Sequence, residues 1–174
     1  DTSSRYPLGS YEDDYVSFNG ESTKTITFGI TFPVAPIVVL SLEDGTSLDN
    51  IIAYLTAIST TSITVGLSAN YSGSVRYRAV YATSYPALVY DQPHNPAVSM
   101  LCTATEIGVD HSSEFSGTFS SLGTYPSSSF YTAYDVSGSG DVDVAFVTSS
   151  VSETSGSGYL SSEMTNRINF LALA

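Results

Sequence analysis

Apolar residues along this chain either alternate with polar ones or fall in short blocks, and clusters of Gly, Ser, Asn and Asp separate them. Thr25-Ile26-Thr27-Phe28-Gly29-Ile30-Thr31-Phe32 alternates cleanly and puts Ile26, Phe28, Ile30 and Phe32 on one face, which predicts a core-facing strand. The same reading places strands near 24–32, 36–43, 50–59, 62–69 and 75–83. Helix formers such as Lys, Gln and Met are scarce, while Thr, Val, Ile, Tyr and Phe abound. Many short strands joined by tight loops predict an all-β fold, an antiparallel β-sandwich.

The pattern also repeats. Phe32-Pro33-Val34-Ala35-Pro36 and Gln92-Pro93-His94-Asn95-Pro96 each set two prolines three apart before an apolar run. Ile52-Ala53-Tyr54-Leu55-Thr56 is echoed by Asp143-Val144-Ala145-Phe146-Val147-Thr148, and the runs Val75 to Ala82 and Arg167 to Ala174 both end in Ala. A repeated order of elements predicts two tandem related modules. The expected organisation is a polar N-terminal arm at 1–22, a first sandwich module at 23–84 and a second at 85–174. Aligning Pro36 with Pro96 leaves the second module longer, so an insertion is expected near 105–138, where binding loops would grow. The junction Thr83-Ser84-Tyr85-Pro86 is too short for a flexible linker, so the modules should touch.

Composition narrows the function classes. Seventeen acidic residues face five basic ones, for a formal charge of −12. Such a surface repels phosphate backbones and anionic headgroups, which argues against nucleic acid and against membranes as partners. No apolar run is long enough for a membrane-spanning helix, so no membrane insertion is expected. The first residue is Asp and no basic-then-apolar leader follows, which reads as a mature product, a processed fragment or an excised domain. The single cysteine, Cys102, lies in the apolar run Ala97 to Ala104 and reads as a buried small hydrophobe. With no internal disulfide available, oligomerisation is an expected source of stability, a homo-oligomer with a trimer favoured.

Thirteen tyrosines and no tryptophan direct attention to surfaces, because Tyr stacks an apolar face on a ligand while its hydroxyl stays hydrated. Tyr71, Tyr77 and Tyr81 flank Arg76 and Arg78. Strand alternation puts the two arginines on one face and Tyr77 and Tyr81 on the other. The functional reading is an arginine face gripping an acidic glycan or a neighbouring subunit through forked hydrogen bonds. The plain alternative is that these arginines form structural ion pairs in a strongly negative molecule.

Residues 24–83 resemble the H-type lectin domain, the sugar-binding β-sandwich of snail agglutinins and discoidin C-terminal domains. The resemblance rests on Ile26-Thr27-Phe28 and Phe32, on Pro36-Ile37-Val38-Val39-Leu40-Ser41-Leu42-Glu43-Asp44, and on Ile52-Ala53-Tyr54-Leu55. It continues in Thr60-Thr61-Ser62-Ile63-Thr64-Val65 and Val75-Arg76-Tyr77-Arg78-Ala79-Val80-Tyr81-Ala82. It is similar, too, to the tips of phage tail fibres and spikes, where such sandwiches trimerise and meet the host surface. Lectin members place a Trp near the end of the closing strand; here Tyr77 and Tyr81 stand in its place. The resemblance implies a sandwich that binds glycans.

Two acid-rich stretches, Glu43-Asp44-Gly45 with Asp49-Asn50 and Asp135 with Asp141 and Asp143, carry oxygen ligands of the kind that bind Ca²⁺. Neither matches the twelve-residue calcium loop, so no cofactor is expected and Ca²⁺ is the one cation left open. Glu12-Asp13-Asp14 reads as a solvated cluster. Ser-Gly-Ser-Gly at 137–140 and 155–158 lacks basic residues and reads as turn or loop rather than phosphate cradle. No nucleophile elbow, Walker loop or zinc-protease motif is present, and no enzymatic activity is expected. The expectation is a recognition module for glycans or other cell-surface structures, at the tip of a virion fibre or spike and so extracellular or on a virion surface. The alternative is a structural decoration or cement protein contacting neighbouring virion subunits.

Overall fold

The computed structural model describes residues 6–43, 51–134 and 144–174. Residues 44–50 and 135–143 of the acid-rich stretches, with the first Ser-Gly-Ser-Gly run, lie outside the described residues. Nine strands and no helix are present among the described residues: β1 (Ser10–Thr27), β2 (Ile37–Glu43), β3 (Ala53–Ile58), β4 (Ser62–Tyr81), β5 (Ala87–Asp91), β6 (Asn95–Thr118), β7 (Ser128–Tyr134), β8 (Phe146–Val151) and β9 (Ser155–Leu173). The fold is all-β, with a mixed, mostly antiparallel sheet whose layers pack as a sandwich.

Long strands β1 and β4 pair over their whole lengths, and the short strands β2 and β3 lie along the other edge of β4, on its second and first halves respectively. The same scheme recurs downstream. β9 pairs along its length with Cys102–Thr118 of β6, whose first part pairs with β5, and β7 lies on the second half of β9 and β8 on the first. The irregularities recur as well. Pairing jumps from Gly66 to Tyr71 in β4 and from Tyr159 to Met164 in β9, in each case opposite a two-residue step of the partner strand. Near each jump one residue has positive φ: Gly20 at 89° in β1 and His111 at 48° in β6. Equivalent turns share their bonds, with Ser59 N–H donating to the Ser62 carbonyl and Ser152 N–H to the Ser155 carbonyl, both at 2.8 Å.

The bulges fold each long pair over itself, because an extra run on one strand bends a ladder and increases its twist. Ile63, Val65 and Leu67 from the first half of β4 therefore share one core with Val75, Tyr77 and Ala79 from the second half. The corresponding core of β6–β9 holds Ile107, Val109, Phe115, Met164, Ile168 and Phe170. A third cluster, Tyr11, Val39 and Val80 against Val89, Cys102, Leu171 and Leu173, joins the two halves. The edge of β2 away from β4 is met by side chains rather than by a backbone ladder. Leu40 N–H donates to Thr132 Oγ1 at 2.6 Å, and Asn169 Nδ2 donates to the Val38 carbonyl at 3.0 Å. Both side chains are buried, so they satisfy backbone groups that would otherwise be lost to water.

Several expectations need correction. Residues 10–22 are not an arm but the first part of β1, and the segment before it is tied to β5 by Gly9 N–H to the Leu88 carbonyl and Leu88 N–H to the Pro7 carbonyl, both 2.9 Å. The polar look of β1 reflects its place at one side of β4, with one face in water. The strand expected over 24–32 ends at Thr27, although Phe28 and Phe32 remain buried. The apolar alternation was about burial; Gly29 and two prolines carry the backbone out of the ladder. The prolines do not mark equivalent strands, since Pro36 precedes β2 while Pro96 opens β6, which pairs as β1 does. Pro93 instead sits in the tight turn between β5 and β6. No loop insertion fills 105–118, because β6 runs through it. Ser155-Gly156-Ser157-Gly158 opens β9 rather than forming a loop. A Cβ on Gly158 would fall against the Val147 carbonyl and 2.7 Å from the Phe115 ring, so glycine is needed for close packing.

Candidate functional site

The arginine and tyrosine set divides as strand alternation requires, but its chemistry is turned inward. Tyr71 and Tyr77 are buried. The Tyr71 hydroxyl donates to the Glu43 carbonyl at 3.0 Å, and the Tyr77 hydroxyl donates to Glu12 Oε1 at 3.0 Å. Burial, then the neighbouring Glu12 charge, raise the Tyr77 pKa, so the phenol stays a donor. Tyr81 is partly buried and packs against the first core. Tyr71 and Tyr77 thus offer no open face for stacking.

On the opposite face Arg76 forks onto Asp13, Nε to Oδ1 at 2.8 Å and a terminal nitrogen to Oδ2 at 2.6 Å, and stacks over Tyr15 at 5.5 Å. Arg78 is buried over the Phe130 ring at 4.1 Å, with Asp13 3.8 Å away. Both guanidiniums are committed to internal partners. Glu12-Asp13-Asp14 is correspondingly not a solvated cluster. Alternation along β1 sends Asp13 to the arginines, and Glu12 is buried on the other face.

An open cleft lies elsewhere, on the first half of β9 and its neighbours. Its lining is Ser112, Glu114, Phe115, Ser116, Ser149, Ser157, Gly158 and Tyr159, and its volume is about 370 Å³. Glu114 on β6 and Val147 on β8 both pair with Tyr159, so one row across three strands reads carboxylate, phenol, methyls. The next row carries Ser116 beside Ser157, and Ser149 Oγ lies 3.3 Å from Ser157 Oγ. Tyr159 is 53% exposed, and Val147 beside it is 63% exposed. An exposed aromatic plate beside a carboxylate and several hydroxyls suits a polar, ring-shaped ligand, and the volume falls in the roughly 300–1,000 Å³ range of small-molecule sites.

The cleft could not be found from local sequence. Ser112, Glu114 and Ser116 fall in the stretch where binding loops were expected, yet they lie on a strand. Ser149, Ser157 and Tyr159 come from β8 and β9, and only the pairing register brings them there. At the pairing position of Tyr159 the first half of the chain has Gly66, over which the Tyr54 ring lies. Tyr54 is buried and packs with the second core, so that face is covered in the first half and open in the second. No protein-family model, curated protein or solved structure matches this chain.

Proposed function

We propose that this chain is a non-enzymatic recognition module whose cleft at Tyr159 binds a polyhydroxylated ligand, a glycan of a cell surface. One observation carries the reading: an exposed tyrosine flanked by a carboxylate and by hydroxyls on adjacent rows of one sheet face. Sugars present apolar C–H faces and equatorial hydroxyls, which such a surface meets by ring stacking and by hydrogen bonds to Glu114 and the serines. The recurring strand scheme supports two tandem copies of one module, the first spending this face on contact with the second and the second keeping it for a ligand. The resemblance to H-type lectins supports the same ligand class. It also supports placement at the tip of a virion fibre or spike, as a homo-oligomer, with the acidic surface aiding solubility at high local density.

The test is a glycan array with the intact protein, followed by calorimetry on the best hit. Tyr159→Ala should weaken binding at least about tenfold, about 1.4 kcal/mol, while Arg76→Ala leaves affinity unchanged. An array with no hit for the intact chain, or a Tyr159→Ala variant that binds as the parent does, rejects the reading.

A further inference from the structure

Outside the cleft, the most concentrated ligand chemistry lies where β1, the loop after it and the β5–β6 turn meet. Glu12 and Asp14 project from the same face of β1, Asp91 ends β5, and His94 lies in the turn that follows it. Glu12 is only 1% exposed. Its carboxylate accepts the Gly29 N–H on both oxygens, at 2.9 and 3.0 Å, and the Tyr77 hydroxyl on Oε1. These are neutral donors. The four described basic residues are engaged elsewhere: Lys24 with Glu21, Arg76 and Arg78 with Asp13, and Arg167 with Glu106. A buried carboxylate with two further carboxylates nearby and no Lys or Arg side chain beside it is costly unless something positive joins it.

His94 supplies the second half of the argument. Its Nδ1 lies 3.0 Å from Asp91 Oδ1 and its Nε2 lies 3.0 Å from Asp14 Oδ2. A neutral imidazole has one N–H. If Nδ1–H donates to Asp91, Nε2 presents a lone pair toward an oxygen that also has only lone pairs to give. That is the arrangement in which a carboxylate orients a metal-binding histidine from behind. One ligand atom each from Glu12, Asp14 and His94 lie within 4.8 Å of one another. Tetrahedral coordination with bonds near 2.0–2.1 Å needs ligand atoms about 3.3 Å apart, so closure asks only for adjustment of Asp14 and His94, both partly exposed. Burial works against charge on His94, but the hydrogen bond to Asp91 and the charges of Asp91, Asp14 and Glu12 outweigh it and raise its pKa above the ordinary imidazole value.

We propose that Glu12, Asp14 and His94 form a divalent-cation site of the Zn²⁺ class, with Asp91 as the positioning residue for His94. One imidazole with two carboxylates favours Zn²⁺ over Ca²⁺ or Mg²⁺, which take oxygen ligands alone. The site clamps the β5–β6 turn to β1 and so fastens the two halves of the chain.

Calorimetric titration of the intact, chelator-treated chain with ZnCl₂ at pH 7.5 tests this, with MgCl₂ and CaCl₂ in parallel. Expected are one Zn²⁺ per chain and a raised Tm in its presence. His94→Gln and Asp14→Asn should each lower affinity at least tenfold, and Asp91→Asn about 10–100-fold through misorientation of the imidazole. His111→Gln, at an exposed histidine beside Asp110, should leave binding intact. Because Glu12 is buried its variants risk misfolding, and the partly exposed Asp14 and His94 decide the matter. No saturable Zn²⁺ uptake, Zn²⁺ binding that survives His94→Gln, or an imidazolium at His94 in excess Zn²⁺ by nitrogen NMR would each overturn the proposal; the last outcome makes the cation a proton.

Discussion

Thr132→Val tests whether the joint between the two halves depends on side chains sealing the edge of β2. Valine keeps the shape of threonine and removes the acceptor, leaving Leu40 N–H buried with no partner in place of the 2.6 Å bond to Thr132 Oγ1. An orphaned buried donor costs about 1–3 kcal/mol. For a chain of this length 1 kcal/mol moves Tm by roughly 2–4 °C, so a drop of at least about 2 °C is expected. Asn169 pairs with Thr132 across β7 and β9 and holds the neighbouring Val38 carbonyl, so the effects of the two residues should not add. Urea unfolding followed by tyrosine fluorescence measures the loss, which should appear as a lower midpoint with an unchanged slope. Thr132→Ser is the control: it keeps the acceptor and loses one methyl, about 0.8 kcal/mol. A serine variant less stable than the valine variant would show that packing rather than the hydrogen bond holds this edge, and would refute the reasoning.

Cys102 is buried between the halves, and burial pushes its thiol up to about 12. It should therefore resist a disulfide reagent at pH 8 in the native chain and react only on unfolding; stoichiometric labelling without denaturant would contradict the packing described. Arg76→Ala removes the fork onto Asp13 and should cost on the order of 1 kcal/mol in a denaturant titration, leaving sedimentation and glycan affinity as in the parent. Dissociation of an oligomer by this substitution would instead assign Arg76 to a subunit contact.

Strand formation was legible because it depends on local facts: β-branched and aromatic residues, alternation, and turn residues at intervals. Burial was legible for the same reason, and Phe28 and Phe32 are core residues even though the backbone there leaves the ladder. The echo of 52–56 in 143–148 falls on corresponding strands, β3 and β8, with the pairing one residue out of step, and Val75 to Ala82 and Arg167 to Ala174 both lie on the second halves of the long strands β4 and β9. Pro36 and Pro96 do not, because proline reports only that a backbone cannot donate, which is true of strand entries and of hairpin turns alike.

What the chain's own sequence determined, then, was class, periodicity and the sign of its surface. Tertiary structure decided which alternating face meets which neighbour. Tyr77 and Arg76 are adjacent in sequence and equally plausible as ligand groups, yet register sends one to Glu12 and the other to Asp13. The cleft draws Glu114, Ser149 and Tyr159 from three strands, and the cation cluster draws Glu12 and His94 from segments about eighty residues apart. Such groupings are set by long-range pairing and by bulges that fold a sheet over itself, and no local pattern encodes either.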